Sequence, residues 1–93
     1  MNQSEENIFL GYLSLPILLR LSKRYTPKSK ILIRSGKVDL LLNTDELGRV
    51  ISFLLGKLDA DKQIQGGVFE RRLILDEKGK VISAVIEFIR LSP

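Results

Sequence analysis

Two pairs of apolar runs, each joined by a short turn that contains glycine, constrain this chain's fold more than any other feature. In the first pair, residues 31–33 and 38–42 flank Ser35-Gly36, a dipeptide that suits a tight hairpin. In the second pair, GVFERRLIL and KVISAVIEFIRL flank the turn sequence at 76–79, which ends in glycine. The sequence therefore predicts two β-hairpins.

Two helices are predicted, one before each hairpin. Residues 8–21 are almost continuously apolar, and Pro16 either begins a second helical segment or kinks one long helix. Residues 43–46 have the pattern of a helix start, with Asn43 as N-cap and acids in the first turn. The apolar residues that follow at helical spacing indicate a helix that ends near Leu58: Leu47, Val50, Ile51, Leu54, Leu55 and Leu58.

These elements predict one α+β domain over residues 1–93, in the order α-ββ-α-ββ. It has two layers, with an antiparallel sheet of about four strands covered by two helices. The last apolar run also has helical spacing at Val81, Val85 and Phe88, but its length and its Ile and Val content favour a strand. The expected core consists of Phe9, Leu13, Ile17, Leu18, Leu21, Ile31, Ile33, Leu40, Leu47, Ile51, Leu54, Leu55, Leu58, Leu73, Val85 and Phe88.

This element order is loosely similar to that of roadblock-type dimeric adaptor domains. The resemblance lies in the order helix–hairpin–helix–hairpin across the chain, with no shared motif. It implies sheet pairing between two copies and binding of other proteins. The size of the chain points the same way, because a domain of 93 residues buries only about 60–65% of its unfolded surface. We therefore expect a homodimer.

The composition argues against catalysis. The chain has no His and no Cys, which removes the usual nucleophile–base pairs and the common zinc sites. Asp59 and Asp61 form a close acidic pair in a predicted loop, where solvated helix-end acids explain them better than a cation site. Gly66-Gly67 precedes a strand, so it does not make a phosphate-binding loop that feeds a helix. The sequence predicts no enzyme, no cofactor and no metal site.

Positive charge is concentrated in residues 20–37, which contain seven of the 15 Lys and Arg residues and no acid. The rest of the chain has eight basic and 11 acidic residues, or −3, although the whole chain is +4. A helix end and a hairpin turn at one end of the domain would gather these cations into a patch that attracts phosphates. Tyr25, Ser29 and Ser35 would be its hydrogen-bonding companions. We predict binding to the backbone of DNA or RNA through Arg20, Lys23, Arg24, Lys28, Lys30, Arg34 and Lys37.

The alternative function is a non-catalytic homodimeric protein-interaction module. In that case the block of cations is a solvated surface or an ion-pair surface between copies. The N-terminus carries Glu5 and Glu6 where a signal peptide would be positive. The apolar run at 8–21 is also shorter than the roughly 20 residues that span a bilayer. We expect a cytoplasmic protein without a transmembrane segment.

Overall fold

A single antiparallel sheet of five strands dominates the structure, a computed structural model that describes residues 13–36, 38–58, 60–61 and 63–92. The strands neighbour one another in chain order from β1 to β5. In these described ranges, one short helix precedes the strands. The bounds are α1 Leu15–Leu21, β1 Lys30–Arg34, β2 Asp39–Thr44, β3 Val50–Leu58, β4 Ile64–Leu75 and β5 Val81–Leu91.

The predicted α+β fold with two helices and about four strands is wrong, because the second predicted helix is the central strand β3. This strand pairs with β2 on one side, where Leu55 lies opposite Leu40, and with β4 on the other, where Phe53 lies opposite Phe69. A strand that is apolar on both faces also satisfies helical spacing, and for this reason the apolar spacing predicted a helix here. The element order behind the roadblock resemblance therefore does not hold.

A tight turn replaces the expected helix start. Oδ1 of Asp45 accepts the backbone N–H groups of Leu47 and Arg49, both at 2.9 Å. Its Oδ2 contacts Nε of Arg49 at 2.8 Å, and its carbonyl accepts the N–H of Gly48 at 3.1 Å. Asp side chains favour both helix starts and turns because they hydrogen-bond nearby backbone N–H groups. Here the carboxylate closes the β2–β3 hairpin.

Both hairpins predicted from the sequence are confirmed. β1 pairs with β2 around Ser35-Gly36, and β4 pairs with β5 around residues 76–79. Gly36 and Gly79 both have positive φ, at 87° and 82°. Pro16 lies in the first turn of α1, as expected for a proline that begins a helical segment. The part of the predicted first helix before residue 13, including Phe9, lies outside the described residues.

The core lies between α1 and one face of the sheet. Ile17 and Leu21 of the helix are buried there, and the rings of Phe53 and Phe69 stack with centroids 5.0 Å apart. Phe88 meets Phe69 edge-on at 5.2 Å. Four residues expected in the core are instead exposed, because they follow helical spacing rather than the alternation of the strands or lie on the outer side of α1: Leu18, Leu47, Ile51 and Val85.

The connection between α1 and β1 is fastened to the β2–β3 turn. Oγ1 of Thr44 donates to the carbonyl of Thr26 at 2.6 Å and accepts the N–H of Ser29 at 2.9 Å. The N–H of Tyr25 donates to the carbonyl of Gly48 at 2.9 Å. These bonds hold the residues that follow α1 beside the turn.

Gly48 should tolerate no side chain. Its φ is 79°, and a Cβ at this position would collide with the carbonyl oxygen of Tyr25. We expect Gly48→Ala to lower the free energy of unfolding by about 3 kcal/mol, of which roughly 1–2 kcal/mol is the left-handed backbone and the rest the collision. Gly79→Ala is the matched control, since Gly79 has φ 82° and open space around it. Equal losses in urea unfolding would contradict the close approach of Tyr25.

Asp45 should make stability depend on pH. Burial works to raise the pKa of this carboxyl, but hydrogen bonds from Arg49 and Leu47 and the Arg49 charge outweigh it and hold the pKa below the usual value of about 3.8. A depressed pKa in the folded state adds stability that is present above the unfolded pKa and is lost as pH falls through the folded pKa.

Asp45→Asn keeps an oxygen acceptor for the backbone N–H groups and removes the charge. We expect the free energy of unfolding of this variant to be about 1 kcal/mol lower at neutral pH. As pH falls from about 5 to about 2, the variant should lose less stability than the unmodified chain loses. Urea unfolding at several pH values measures both. Parallel pH profiles would show that the Asp45 carboxylate makes no net ionic contribution.

Candidate nucleic-acid interface

A groove of about 540 Å³ lies between the end of α1, the β2–β3 turn and the half of the β4–β5 hairpin next to its turn, residues 71–84. Hydroxyl and apolar side chains form part of its lining, among them Ser22, Ser83 and Leu73. No carboxylate is among its described lining residues. We refer to it as the basic groove because five cationic residues line it: Lys23, Arg24, Arg49, Arg71 and Lys80.

Four segments that are distant in sequence bring these cations together. Lys23 and Arg24 follow α1 directly, and Arg24 forms an isolated antiparallel bridge with Arg49 at the end of the β2–β3 turn. Arg71 lies on β4 two residues after Phe69, so strand alternation places both on the helix-covered face. Lys80 closes the β4–β5 turn, where its N–H donates to Oδ1 of Asp76 at 2.8 Å.

Arg49 and Arg71 place two positive charges on the same wall of the groove. Nη1 of Arg71 donates to the carbonyl of Val50 at 3.0 Å, which fixes the half-buried guanidinium. Burial, and after it the nearby charge of Arg49, lowers the pKa of Arg71, although an arginine remains protonated at neutral pH. Asp45 neutralises Arg49, but Arg71 is in none of the ion pairs that the described residues form. Within the described part of the chain, no carboxylate offsets the charge of Arg71.

The hydroxyl groups expected to assist a ligand are used within the protein. Tyr25 donates its hydroxyl to the carbonyl of Arg20 at 2.6 Å. Burial raises the pKa of Tyr25 above its ordinary value, and the Arg20 charge opposes this only in part. Oγ of Ser29 donates to the carbonyl of Pro27 at 2.9 Å, and Oγ of Ser35 to that of Val38 at 2.5 Å. These groups stabilise the loops that carry them.

Two of the seven cations predicted from the sequence, Lys23 and Arg24, lie in the basic groove. A third, Arg20, lines an adjoining depression that shares Ser22 and Lys23 with the groove. Lys37 lies outside the described residues. The N-terminal half of the predicted patch is therefore the half that the fold gathers at the groove.

The remaining predicted cations lie elsewhere. Nζ of Lys28 is 3.6 Å from Glu46, and both side chains are well exposed. Nε of Arg34 is 3.8 Å from the buried carboxylate of Asp39, at the opposite end of the sheet from the groove. Lys30 begins β1 and alternates onto the sheet face that α1 does not cover. Their role in binding stays a prediction, because none of the three lines the groove.

Three cations of the groove were missed because they come from distant segments. Arg49 belonged to the predicted helix, which placed it on a different surface. Arg71 could have been found from strand alternation, since Phe69, Arg71 and Leu73 share one face of a predicted strand. Nothing in the sequence places Lys80 beside Lys23, because only the finished sheet brings the β4–β5 turn toward the end of α1.

Neither a membrane-spanning helix nor a metal cluster is found in the described part of the chain. No helix there is long and apolar enough to cross a bilayer. No group of three or more acidic side chains there is placed to hold a metal ion; Asp59 of the predicted acidic pair is outside the described residues. The chain matches no known family model, no curated protein sequence and no solved structure.

Proposed function

We propose that this protein binds nucleic acid by placing backbone phosphates in the basic groove. The observation that carries the proposal is the convergence of five cations from four segments on a groove whose described lining contains no carboxylate. Cations held by the fold lose less freedom on binding than side chains on a flexible tail. They also release the counterions that surround a polyanion, which is the main source of non-specific affinity for nucleic acid.

The pair Arg49 and Arg71 suits an anionic ligand in particular. In the free protein the two charges repel each other, and this repulsion contributes to the lowered pKa of Arg71. An anion between them would replace repulsion by two charge-assisted hydrogen bonds, and guanidinium groups match the geometry of phosphate oxygens. The hydrogen bond from Arg71 to Val50 keeps one of the two donors in place before the ligand arrives.

A duplex backbone fits the groove better than a single strand does. Single strands are bound largely by stacking bases on aromatic side chains, and no aromatic residue is among the described lining of the groove. Base reading is not expected, because α1 has only seven residues and turns Ile17 and Leu21 into the core. The proposed ligand is the sugar–phosphate backbone of a duplex, with little sequence preference.

Nucleic acid as the ligand implies a location inside the cell, and we propose that the protein acts in the cytoplasm. We also propose that it acts as a homodimer, which the exposed apolar residues of the edge strand β5, among them Val81, Ile82 and Val85, support. The cations that lie away from the groove would add long-range attraction without contacting the ligand.

Removing two lysines from the groove should weaken duplex binding. We expect Lys23→Gln/Lys80→Gln to reduce affinity for a fluorescent DNA duplex roughly tenfold at about 50 mM salt. The slope of log K against log salt should fall by about 2, because each lysine that contacts a phosphate contributes about 1. Fluorescence anisotropy at four or more salt concentrations measures both quantities.

Lys30→Gln/Lys57→Gln is the matched control, since it removes the same two charges from exposed lysines outside the groove. This control should keep the salt slope of the unmodified chain and lose affinity only slightly. Equal weakening by the two pairs would mean that net charge, and not the groove, attracts the ligand. A single strand that binds more tightly than a duplex of equal length would contradict the assignment of the duplex.

Releasing Arg49 from its carboxylate partner should strengthen binding. In Asp45→Asn the ion pair of 2.8 Å is lost and Arg49 becomes available to a phosphate. We expect affinity for the duplex to rise about threefold or more, with a salt slope that is larger by about 1. Glu70→Gln makes the same change in net charge on the opposite sheet face and should have little effect. If both variants bind equally well, Arg49 does not contact the ligand.

A further inference from the structure

Among the described residues, the last strand, β5, forms one edge of the sheet. It has 11 residues, and its first five, Val81–Val85, are all exposed. Ile82 is 63% exposed, the largest value among the large apolar residues of the two edge strands. Residues 81–86 carry no charge. A long edge with an apolar, uncharged segment favours backbone pairing with another strand.

The opposite edge of the sheet is built differently. β1 has only five residues and begins and ends with cations, Lys30 and Arg34. If two copies paired antiparallel through β1, Lys30 of one would lie opposite Arg34 of the other, which places like charges in contact. Short length and terminal charges usually protect a sheet edge from pairing. β5 has 11 residues, and its first six carry no charge.

We propose that two copies of this chain pair antiparallel through β5 about a twofold axis and form a continuous sheet of ten strands. The register that uses the whole strand is centred on Ile86. In this register Val85 of each copy lies opposite Glu87 of the second copy, and neither Glu87 nor Arg90 faces a like charge. A twofold contact must be complementary to itself, and the uncharged run 81–86 meets that requirement.

The contact should be a weak dimer. Eleven residues extend about 37 Å, and antiparallel pairing along that length supplies about ten main-chain hydrogen bonds. A strand edge with side chains on both faces buries on the order of 500 Å² per copy, less than the roughly 800 Å² of a standard interface. The net charge of +4 on each copy opposes association. We expect a dissociation constant on the order of 10–100 µM that decreases as salt screens this repulsion.

Sedimentation equilibrium of the protein without nucleic acid tests this contact through a pair of substitutions at one exposed site. Val85→Lys places a cation opposite Glu87 of the second copy, and Val85→Glu places a like charge there. Both remove the same apolar side chain. We expect Val85→Lys to dimerise about tenfold more tightly than Val85→Glu, because each dimer contains the new pair twice. General repulsion predicts the reverse order, since Val85→Lys raises the net charge from +4 by one and Val85→Glu lowers it by one.

The control is Leu32→Glu, which changes an exposed apolar residue on the opposite edge strand, β1, and should leave association unchanged. Circular dichroism confirms that each variant is folded before it is compared. A chain that remains monomeric to about 1 mM overturns the proposal, as does equal association of the two Val85 variants. The proposal is also overturned if Leu32→Glu weakens association as much as Val85→Glu does. The result is independent of the basic groove, because the experiment contains no nucleic acid.

Discussion

The burial of one face of the sheet under α1, a helix of seven residues, is the constraint on which the other features depend. Seven helical residues extend about 10 Å, whereas five strands extend about 19 Å from the first to the last, and β4 is about 40 Å long. Ile17 and Leu21 of α1 belong to the same buried core as the stacked rings of Phe53 and Phe69, and a helix of this length covers only part of the sheet. Among the described residues, α1 is the one helix, and most residues in the half of the β4–β5 hairpin next to its turn are exposed. The basic groove and the exposed first half of β5 both lie at this part of the hairpin.

The two proposals use the same end of the β4–β5 hairpin, because Val81–Ala84 line the groove and also begin the exposed edge of β5. The groove opens on the helix-covered face, while β5 pairing uses the backbone at the edge of the sheet. A twofold axis between antiparallel strands is perpendicular to the sheet, so the two helices and the two grooves of a dimer would lie on one side. Salt would act on the two equilibria in opposite directions: it weakens the attraction to phosphates and screens the repulsion between the two copies. A dimer would offer one duplex two sites, and binding at the second would be intramolecular.

The sequence predicted what local chemistry decides and failed where distant strands decide. Both hairpins were predictable because the turns at Ser35-Gly36 and 76–79 contain glycine at positions that need positive φ. β3 was assigned as a helix because its apolar residues satisfy two periods at once, and only its pairing with β2 and β4 distinguishes them. Asp45 and Gly48 were the local signals of a turn. The binding surface was predictable only in part, since Lys23 and Arg24 are adjacent in sequence whereas the other groove cations arrive through β-sheet pairing.

Arg71 is the residue whose position the fold alone does not explain. It follows Phe69 on the inner face of β4, where an apolar residue would extend the core toward Leu73. A half-buried guanidinium loses hydration there, and the carbonyl of Val50 satisfies one of its five N–H donors. The charge of Arg49 adds repulsion, as the lowered pKa of Arg71 records. Charged side chains at positions where an apolar residue would pack are concentrated at functional sites. A bound ligand can offset the free energy that such a side chain loses when it is removed from water. An anion held between Arg49 and Arg71 would supply that compensation, which makes this pair the part of the groove where binding and stability are most closely linked.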